Sequence, residues 1–276
     1  MTNTNLMLEV LVRAAQLGGR LALSKFDPIG ARIDVDEKGA RDYQTEADRA
    51  VEKVIVSVIT SALPDVAIVG EENVANRSGS GSLTVLIDPI DGTTNFAWGI
   101  PFFSVCIALL DGKATIAGVV HDPIRDETFA AALDAGCYLN GRPLVLGAGR
   151  DIDHAVVGAG IPVPGQLRSI DRAVFEKAIW RLADRASAVR RMGSAALSIA
   201  YVAAGRHDAF FEDGLSPYDY AAAALCVKEA GGFVTGFDGG PIPQTGAVLA
   251  ARPTLHSWLV DGFATQTIHE GTSIFH

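Results

Sequence analysis

Cysteine is scarce in this chain of 276 residues: Cys106, Cys137 and Cys226 lie far apart, without CxxC spacing and in odd number. That excludes a disulfide scaffold and leaves buried free thiols in a reducing compartment as the simple reading. Long apolar runs are also missing. The stretch from Val105 to Val120 comes nearest to the roughly 18 residues that a membrane helix needs, but Asp111 and Lys113 interrupt it. At the N-terminus Glu9 and Arg13 break any signal-peptide core, so a cytoplasmic protein that does not enter membranes is expected. Basic charge is in short supply, with 23 Lys and Arg against 32 Asp and Glu and a net charge of −9. This balance argues against a general binder of nucleic acid or anionic membrane, whose affinity comes from clustered Lys and Arg. An anionic substrate stays open, because a bound cation can reverse the local field. Internal repeats and long charge runs are absent, and the only low-complexity piece is the loop Ser78-Gly79-Ser80-Gly81-Ser82.

What is present is ordinary globular material. Hydrophobic residues make up 49% and charged residues 20%, enough to bury a large core in one domain or two closely packed ones. Leu6, Val10, Ala14, Leu17 and Leu21 repeat at helical spacing, and a polar, turn-rich segment follows from Phe26 to Asp42. Thr45 can cap a second helix, with Asp48 as the return partner of a capping box and Val51, Ile55, Val58 and Ile59 on its buried face. Short strands are expected at Val66–Val69 and Leu83–Ile87, a hairpin around Asp111-Gly112, and a further strand pair surrounding Asp134 to Gly141, where Asn140-Gly141 is another turn. After about residue 150 strands and helices alternate, with helices over Ser169–Asp184, Ser194–Ala204, Pro217–Ala230 and near Thr254–Ala264. Two stacked α/β subdomains are therefore expected, 1–148 and 149–276.

The segment Leu86-Ile87-Asp88-Pro89-Ile90-Asp91-Gly92-Thr93-Thr94-Asn95-Phe96 carries the most chemistry. An apolar strand runs into Asp88, Pro89 is expected to stop it, and Asp91 precedes an apparent helix start. Two carboxylates at a strand end can converge on one hard cation. Backbone N–H groups of Gly92, Thr93 and Thr94 would then face an anion, since the first N–H groups of a helix lack internal partners. Asp-Pro and Asp-Gly are also common turn formers, so the competing reading is a plain turn. Gly70-Glu71-Glu72 taken singly reads as a solvated loop, and Asp48 and Asp219 taken singly read as capping acids behind Thr45 and Ser216. Together these acids could enclose a metal. The six histidines share no spacing, so oxygen ligands and magnesium, manganese or calcium fit better than a soft metal.

Asp88-Pro-Ile-Asp-Gly-Thr-Thr-Asn-Phe96 resembles the signature of the inositol monophosphatase family, magnesium-dependent and lithium-sensitive phosphomonoesterases. Asp42-Tyr-Gln-Thr-Glu-Ala-Asp48, Gly70-Glu-Glu72 and Ser216-Pro-Tyr-Asp-Tyr-Ala-Ala222 followed by Glu229-Ala-Gly-Gly232 are similar to its other motifs. The resemblance implies a layered αβαβα sandwich that pairs as a homodimer. It also implies Glu71, Asp88 and the Ile90 carbonyl as ligands of a first Mg²⁺; Asp88, Asp91 and Asp219 of a second; and Glu71 of a weaker third. Mn²⁺ would substitute, and Ca²⁺ and Li⁺ would inhibit. Thr93 and Asp48 would orient the attacking water, with Glu72 close by, and Lys38 would sit on a loop near the site. Asp91, Gly92, Thr93, Thr94, Gly193, Ser194, Ala195, Glu212 and Asp219 would contact the substrate.

Trp98 stands where many relatives carry histidine, and Tyr218 where tryptophan is common. These departures spare the ligands and affect the rim of the pocket. The implied substrate is myo-inositol monophosphate, since Glu212 would accept hydroxyl hydrogen bonds and repel a second phosphate. The alternatives are a 3′-phosphoadenosine nucleotide, fructose 1,6-bisphosphate, or a non-catalytic partnership with the transcription machinery. Glycoside hydrolysis by paired acids does not account for so many acids beside a glycine-threonine turn.

Overall fold

The computed structural model describes residues 3–29, 35–39, 42–74, 76–147 and 149–264. Helices α1 (Asn3–Lys25) and α2 (Glu46–Ala62) flank a hairpin of β1 (Val35–Gly39) and β2 (Asp42–Thr45). A mostly antiparallel sheet follows in the order β3 (Ala67–Gly70), β4 (Leu83–Asp91), β5 (Ser104–Asp111), β6 (Ala114–Asp122), β7 (Glu127–Ala132), β8 (Cys137–Leu139) and β9 (Arg142–Leu144). The short helix α3 (Thr93–Ala97) lies between β4 and β5. A second, mixed sheet is built from β10 (Val156–Ala159), β11 (Ala188–Arg190), β12 (Ala209–Glu212), β13 (Phe233–Thr235) and β14 (Val248–Ala251), in the order β11-β10-β12-β14-β13. Its helices are α4 (Arg172–Ala183), α5 (Ala195–Ala203), α6 (Pro217–Glu229) and α7 (Pro253–Phe263).

Strand alternation shows how these pieces stack, because successive side chains point to opposite faces of a sheet. On β4 and β5, Val85, Ile87, Val105, Ile107 and Leu109 pack with α1 and α2, whereas Leu86, Cys106 and Ala108 pack with α5 and α6. On the second sheet Phe210, Val248 and Ala250 meet the other side of α5 and α6, and Phe211, Leu249 and Ala251 face α4 and α7. The layers are therefore αβαβα. A helix pair between two sheets must be apolar on every side. All nine residues of α5 and the run Ala221–Val227 of α6 are buried, and their many alanines let both sheets approach closely.

Several local features differ from the sequence reading, each for a physical reason. The turn-rich segment from Phe26 to Asp42 holds β1, which pairs with β2 just after it, and these short polar strands show no apolar alternation. Pro89 does not end β4. The register steps from Asp88↔Cys106 to Asp91↔Ser104, three residues against two, so a bulge absorbs the missing donor. Helix α4 begins at Arg172 rather than Ser169, because the Ser169 N–H and hydroxyl are both engaged by Asp213. Asp111-Gly112 and Asn140-Gly141 do turn hairpins, β5–β6 and β8–β9. Cys106, Cys137 and Cys226 are buried and unbridged. Among the described residues no helix is long and apolar enough to cross a membrane.

Candidate active site

The layering brings strand ends and helix starts to one place. A cleft of about 190 Å³ opens where the end of β4 meets the end of β12 and the starts of α5 and α6. Glu71, Asp88, Ile90, Asp91, Gly92, Thr93, Gly193, Ser194, Ala195, Glu212 and Asp219 all line it. So do Ala159, Gly160, Arg191, Met192, Ser198, Phe210 and Leu215, to which the sequence reading gave no part in binding. Four predicted residues do not line it. Asp48 lies behind Thr93, Thr94 is exposed, Glu72 belongs to the loop after Glu71, and Lys38 is on β1, whose side chains fall outside the described residues.

The turn after β4 is set by backbone geometry. Gly92 caps α3 in the left-handed region, at φ 101°, where a Cβ would also press on the Gly193 carbonyl at 3.0 Å. Asn95 on α3 donates from Nδ2 to the carbonyls of Phe102 (2.6 Å) and Met192 (2.8 Å), tying this turn to the segment that leads into α5. The Thr93 hydroxyl is 3.3 Å from Asp48 Oδ1 and 3.1 Å from the Ile90 carbonyl. Asp48 is fully buried, and its Oδ2 accepts from the Thr45 N–H at 2.8 Å and from the Thr45 hydroxyl. The expected capping box and the contact to Thr93 thus use the two oxygens of one carboxylate.

Asp91 is turned into the start of α5. Its Oδ2 is surrounded by the hydroxyls of Ser194 and Ser104 and the N–H groups of Ala196 and Leu197, while Oδ1 accepts from Ala195 N–H at 3.0 Å. The Ser194 hydroxyl and the Ala195 N–H, on the segment expected to contact the substrate, both bond Asp91. Burial raises the Asp91 carboxyl above the ordinary range, and these hydrogen bonds oppose the rise. Asp88 is raised well above that range by burial and then by the charges of Glu71, Asp91, Asp219 and Asp48. Asp219 is raised by burial, with the Ser216 N–H pulling it down and Asp91, Glu71 and Glu212 pushing it up. Arg191 is the only basic side chain among the described residues that line the cleft. Tyr218, beside Asp219, is pushed up to about 12 by burial, and Trp98 stands outside the cleft, half-exposed.

Mutually repelling buried carboxylates with one cation nearby are the donor set of a hard divalent ion. Among the described residues no three Asp, Glu, His or Cys side chains already stand grouped to hold one ion. The set fits a cation that would draw Glu71, Asp88 and Asp219 inward, with Asp91 Oδ1 carrying only one hydrogen bond.

One residue that positions this cleft was absent from the sequence reading. Glu52 on α2 is fully buried, and its carboxylate accepts from the N–H groups of Glu72 (2.9 Å) and Val74 (2.8 Å), fixing the loop that carries Glu71. Its signal was available. Glu52 follows Asp48 by four residues on the helix face that buries Ile55 and Ile59. Glu52→Ala should remove the acceptor of two half-buried N–H groups and cost about 1–3 kcal/mol, read by urea unfolding. Retained stability would show that the loop is held without it.

Glu212 gives a pH-dependent expectation. Burial raises its carboxyl to about 7, against the opposing effects of Gln166 and Arg191. The folded chain therefore holds this proton more tightly than the unfolded chain does, and stability is lost as pH rises from about 4.5 through about 7. In EDTA, Glu212→Gln should match wild type at pH 5 and exceed it at pH 8 in melting temperature. Equal differences at both pH values would contradict the burial of this charge.

Comparison with known proteins agrees with the geometry. The sequence profile of the inositol monophosphatase family matches residues 3–268. The chain is 42% identical over 236 residues to the Nus factor SuhB of Pseudomonas aeruginosa, covering 84% of this chain and 86% of that one. It is 37% identical over 255 residues to the inositol-1-monophosphatase of Mesorhizobium japonicum, covering 92% and 94%. The crystal structure of the extragenic suppressor protein suhB from Bartonella henselae superposes with a TM-score of 0.87 at 36% identity, covering 94% of this chain and 99% of that one. On motif, fold and profile alike, the chain belongs to the inositol monophosphatase family.

Proposed function

We propose that this protein is a Mg²⁺-dependent phosphomonoesterase acting on a polyol phosphate, with myo-inositol monophosphate as the substrate. The observation that carries this reading is the set of acids lining one cleft, Glu71, Asp88, Asp91 and Asp219, beside a glycine-threonine turn. Glu71, Asp88 and the Ile90 carbonyl would hold one ion; Asp88, Asp91 and Asp219 a second; Glu71 a weaker third. When bound, Mg²⁺ supplies positive charge to the phosphate and to the departing alkoxide and makes a water more acidic. This supply explains how an acidic cleft takes a dianion.

The chain's own groups orient the reaction. Asp48, pinned through Oδ2 by Thr45, accepts the Thr93 hydroxyl proton on Oδ1. The lone pairs of Thr93 are then directed to the cleft, where they align a water for in-line attack on phosphorus. Glu212 accepts from a hydroxyl of the alcohol part of the substrate. Glu72 has a supporting part, through the loop that presents Glu71. Homodimeric assembly, a cytoplasmic setting, substitution by Mn²⁺, and inhibition by Ca²⁺ and Li⁺ belong to the same reading.

A second reading draws on the relatives named Nus factor SuhB in Pseudomonas aeruginosa and Escherichia coli. On it, the chain serves as a non-catalytic partner of the transcription machinery. The presence of all the candidate metal ligands, Glu71, Asp88, Asp91 and Asp219, favours an enzyme. The decisive assay is phosphate release from inositol 1-phosphate, fructose 1,6-bisphosphate and a 3′-phosphoadenosine nucleotide, with Mg²⁺ or EDTA. Inositol 1-phosphate should be turned over fastest and only with the metal, and Thr93→Ala should slow it by roughly 10²–10⁴-fold. Absence of turnover, together with a cellular phenotype insensitive to Asp91→Asn, would favour the partner reading.

A further inference from the structure

The segment between β10 and α4 reaches back to the wall of the cleft and closes on the end of β12 at two adjacent acids. Asp213, buried, accepts on Oδ2 from the N–H groups of Arg168 and Ser169, both at 2.8 Å. Its Oδ1 accepts from the Ser169 hydroxyl at 2.6 Å and from the Gly214 N–H at 2.8 Å. That carboxylate fastens the C-terminal end of the segment. Pro162 and Pro164 restrict its backbone on the N-terminal side.

Between these fixed ends stands Gln166. Its N–H bonds the Val163 carbonyl at 3.1 Å, and its side-chain Oε1 accepts from the Val163 N–H at 3.0 Å. With the amide oxygen committed to a donor, the nitrogen end is the one that faces Glu212, and Nε2 donates to Glu212 Oε1 at 2.9 Å. On the other side of the same carboxyl is Gly160, where a Cβ would lie 2.2 Å from the Glu212 carboxyl carbon. The Glu212 carboxyl is thus confined between a backbone without a side chain and an amide whose orientation the backbone dictates. Gln166 is not among the residues that line the cleft, and its side chain meets that lining at Glu212.

We propose that Gln166 is a positioning residue that sets the preference for polyol esters, by holding one Glu212 oxygen so that the carboxyl stays oriented toward hydroxyl groups of the substrate alcohol. The inference rests on the phosphatase reading and deepens it. The ordering of Glu212 is completed before the substrate arrives, so hydroxyl recognition costs no reorganisation at binding. A site built this way discriminates through the hydroxyl rather than through the phosphate, which every ester shares.

The test compares wild type, Gln166→Met, which keeps the volume and loses the donor, and Gln166→Asn, which keeps the donor one methylene short. Phosphate release with Mg²⁺ is followed for inositol 1-phosphate and for phenyl phosphate, whose alcohol part has no further hydroxyl. Gln166→Met should raise KM for the inositol ester about tenfold, as loss of one well-aligned hydrogen bond would, with kcat unchanged and phenyl phosphate unaffected. Gln166→Asn should fall between. Equal losses on both esters would mark a structural role only and overturn the inference, as would an unchanged KM for the inositol ester. Failure of wild type to release phosphate from either ester would instead defeat the phosphatase reading. The arm is then read by NMR titration with inositol 1-phosphate: binding weakened about tenfold by Gln166→Met supports the inference, and binding as tight as wild type overturns it.

Discussion

Carboxylates crowded into one buried place repel one another, and the architecture around the cleft is arranged about that repulsion. Burial and neighbouring acids drive Asp88 and Asp219 well above the ordinary carboxylate range, and only Arg191 among the described lining residues offers opposite charge. Helix starts supply part of the compensation. Asp48 and Asp219 sit in the first turns of α2 and α6, and Asp91 caps α5, each at the end of a helix that carries partial positive charge. What the helices leave uncompensated is the requirement for a cation.

Holding such a cluster requires rigid supports, and these come from polar side chains aimed at backbone. Glu52 secures the loop bearing Glu71, Asn95 ties the turn after β4 to the approach of α5, and Asp213 secures the arm that carries Gln166. Thr45 fixes Asp48, which in turn directs Thr93. Apart from the local Thr45–Asp48 contact, each connects stretches distant in sequence, and each satisfies polar groups that would otherwise cost stability. The apolar layers on either side of α5 and α6 set the positions; these hydrogen bonds set the orientations.

Sequence made the acids and their order legible, because Asp88, Asp91 and the glycine-threonine turn occupy one short segment with its own backbone logic. The αβαβα layering followed from the family resemblance, and the alternation of Val85, Leu86 and Ile87 across β4 is its physical counterpart. Other features were hidden for identifiable reasons. The engagement of Asp91 by Ser194 spans 103 residues and has no local signature. The bulge that carries β4 past Pro89 depends on pairing with β5, which a proline rule applied to one strand ignores. Glu52 was masked by its type, since an acid on a helix is ordinarily solvent-facing. Thr94 enters the reading through its backbone N–H at the start of α3; its side chain is exposed, while Thr93 lines the cleft.

The claim on which the account stands is that the cleft acids gather around divalent ions. Crystals soaked in Mn²⁺ and measured at its absorption edge test it directly. The account predicts anomalous peaks within coordination distance of Glu71, Asp88, Asp91 and Asp219, with the Asp91 carboxylate still held at the start of α5. A cleft without peaks at saturating Mn²⁺, or peaks only at surface acids, would contradict it.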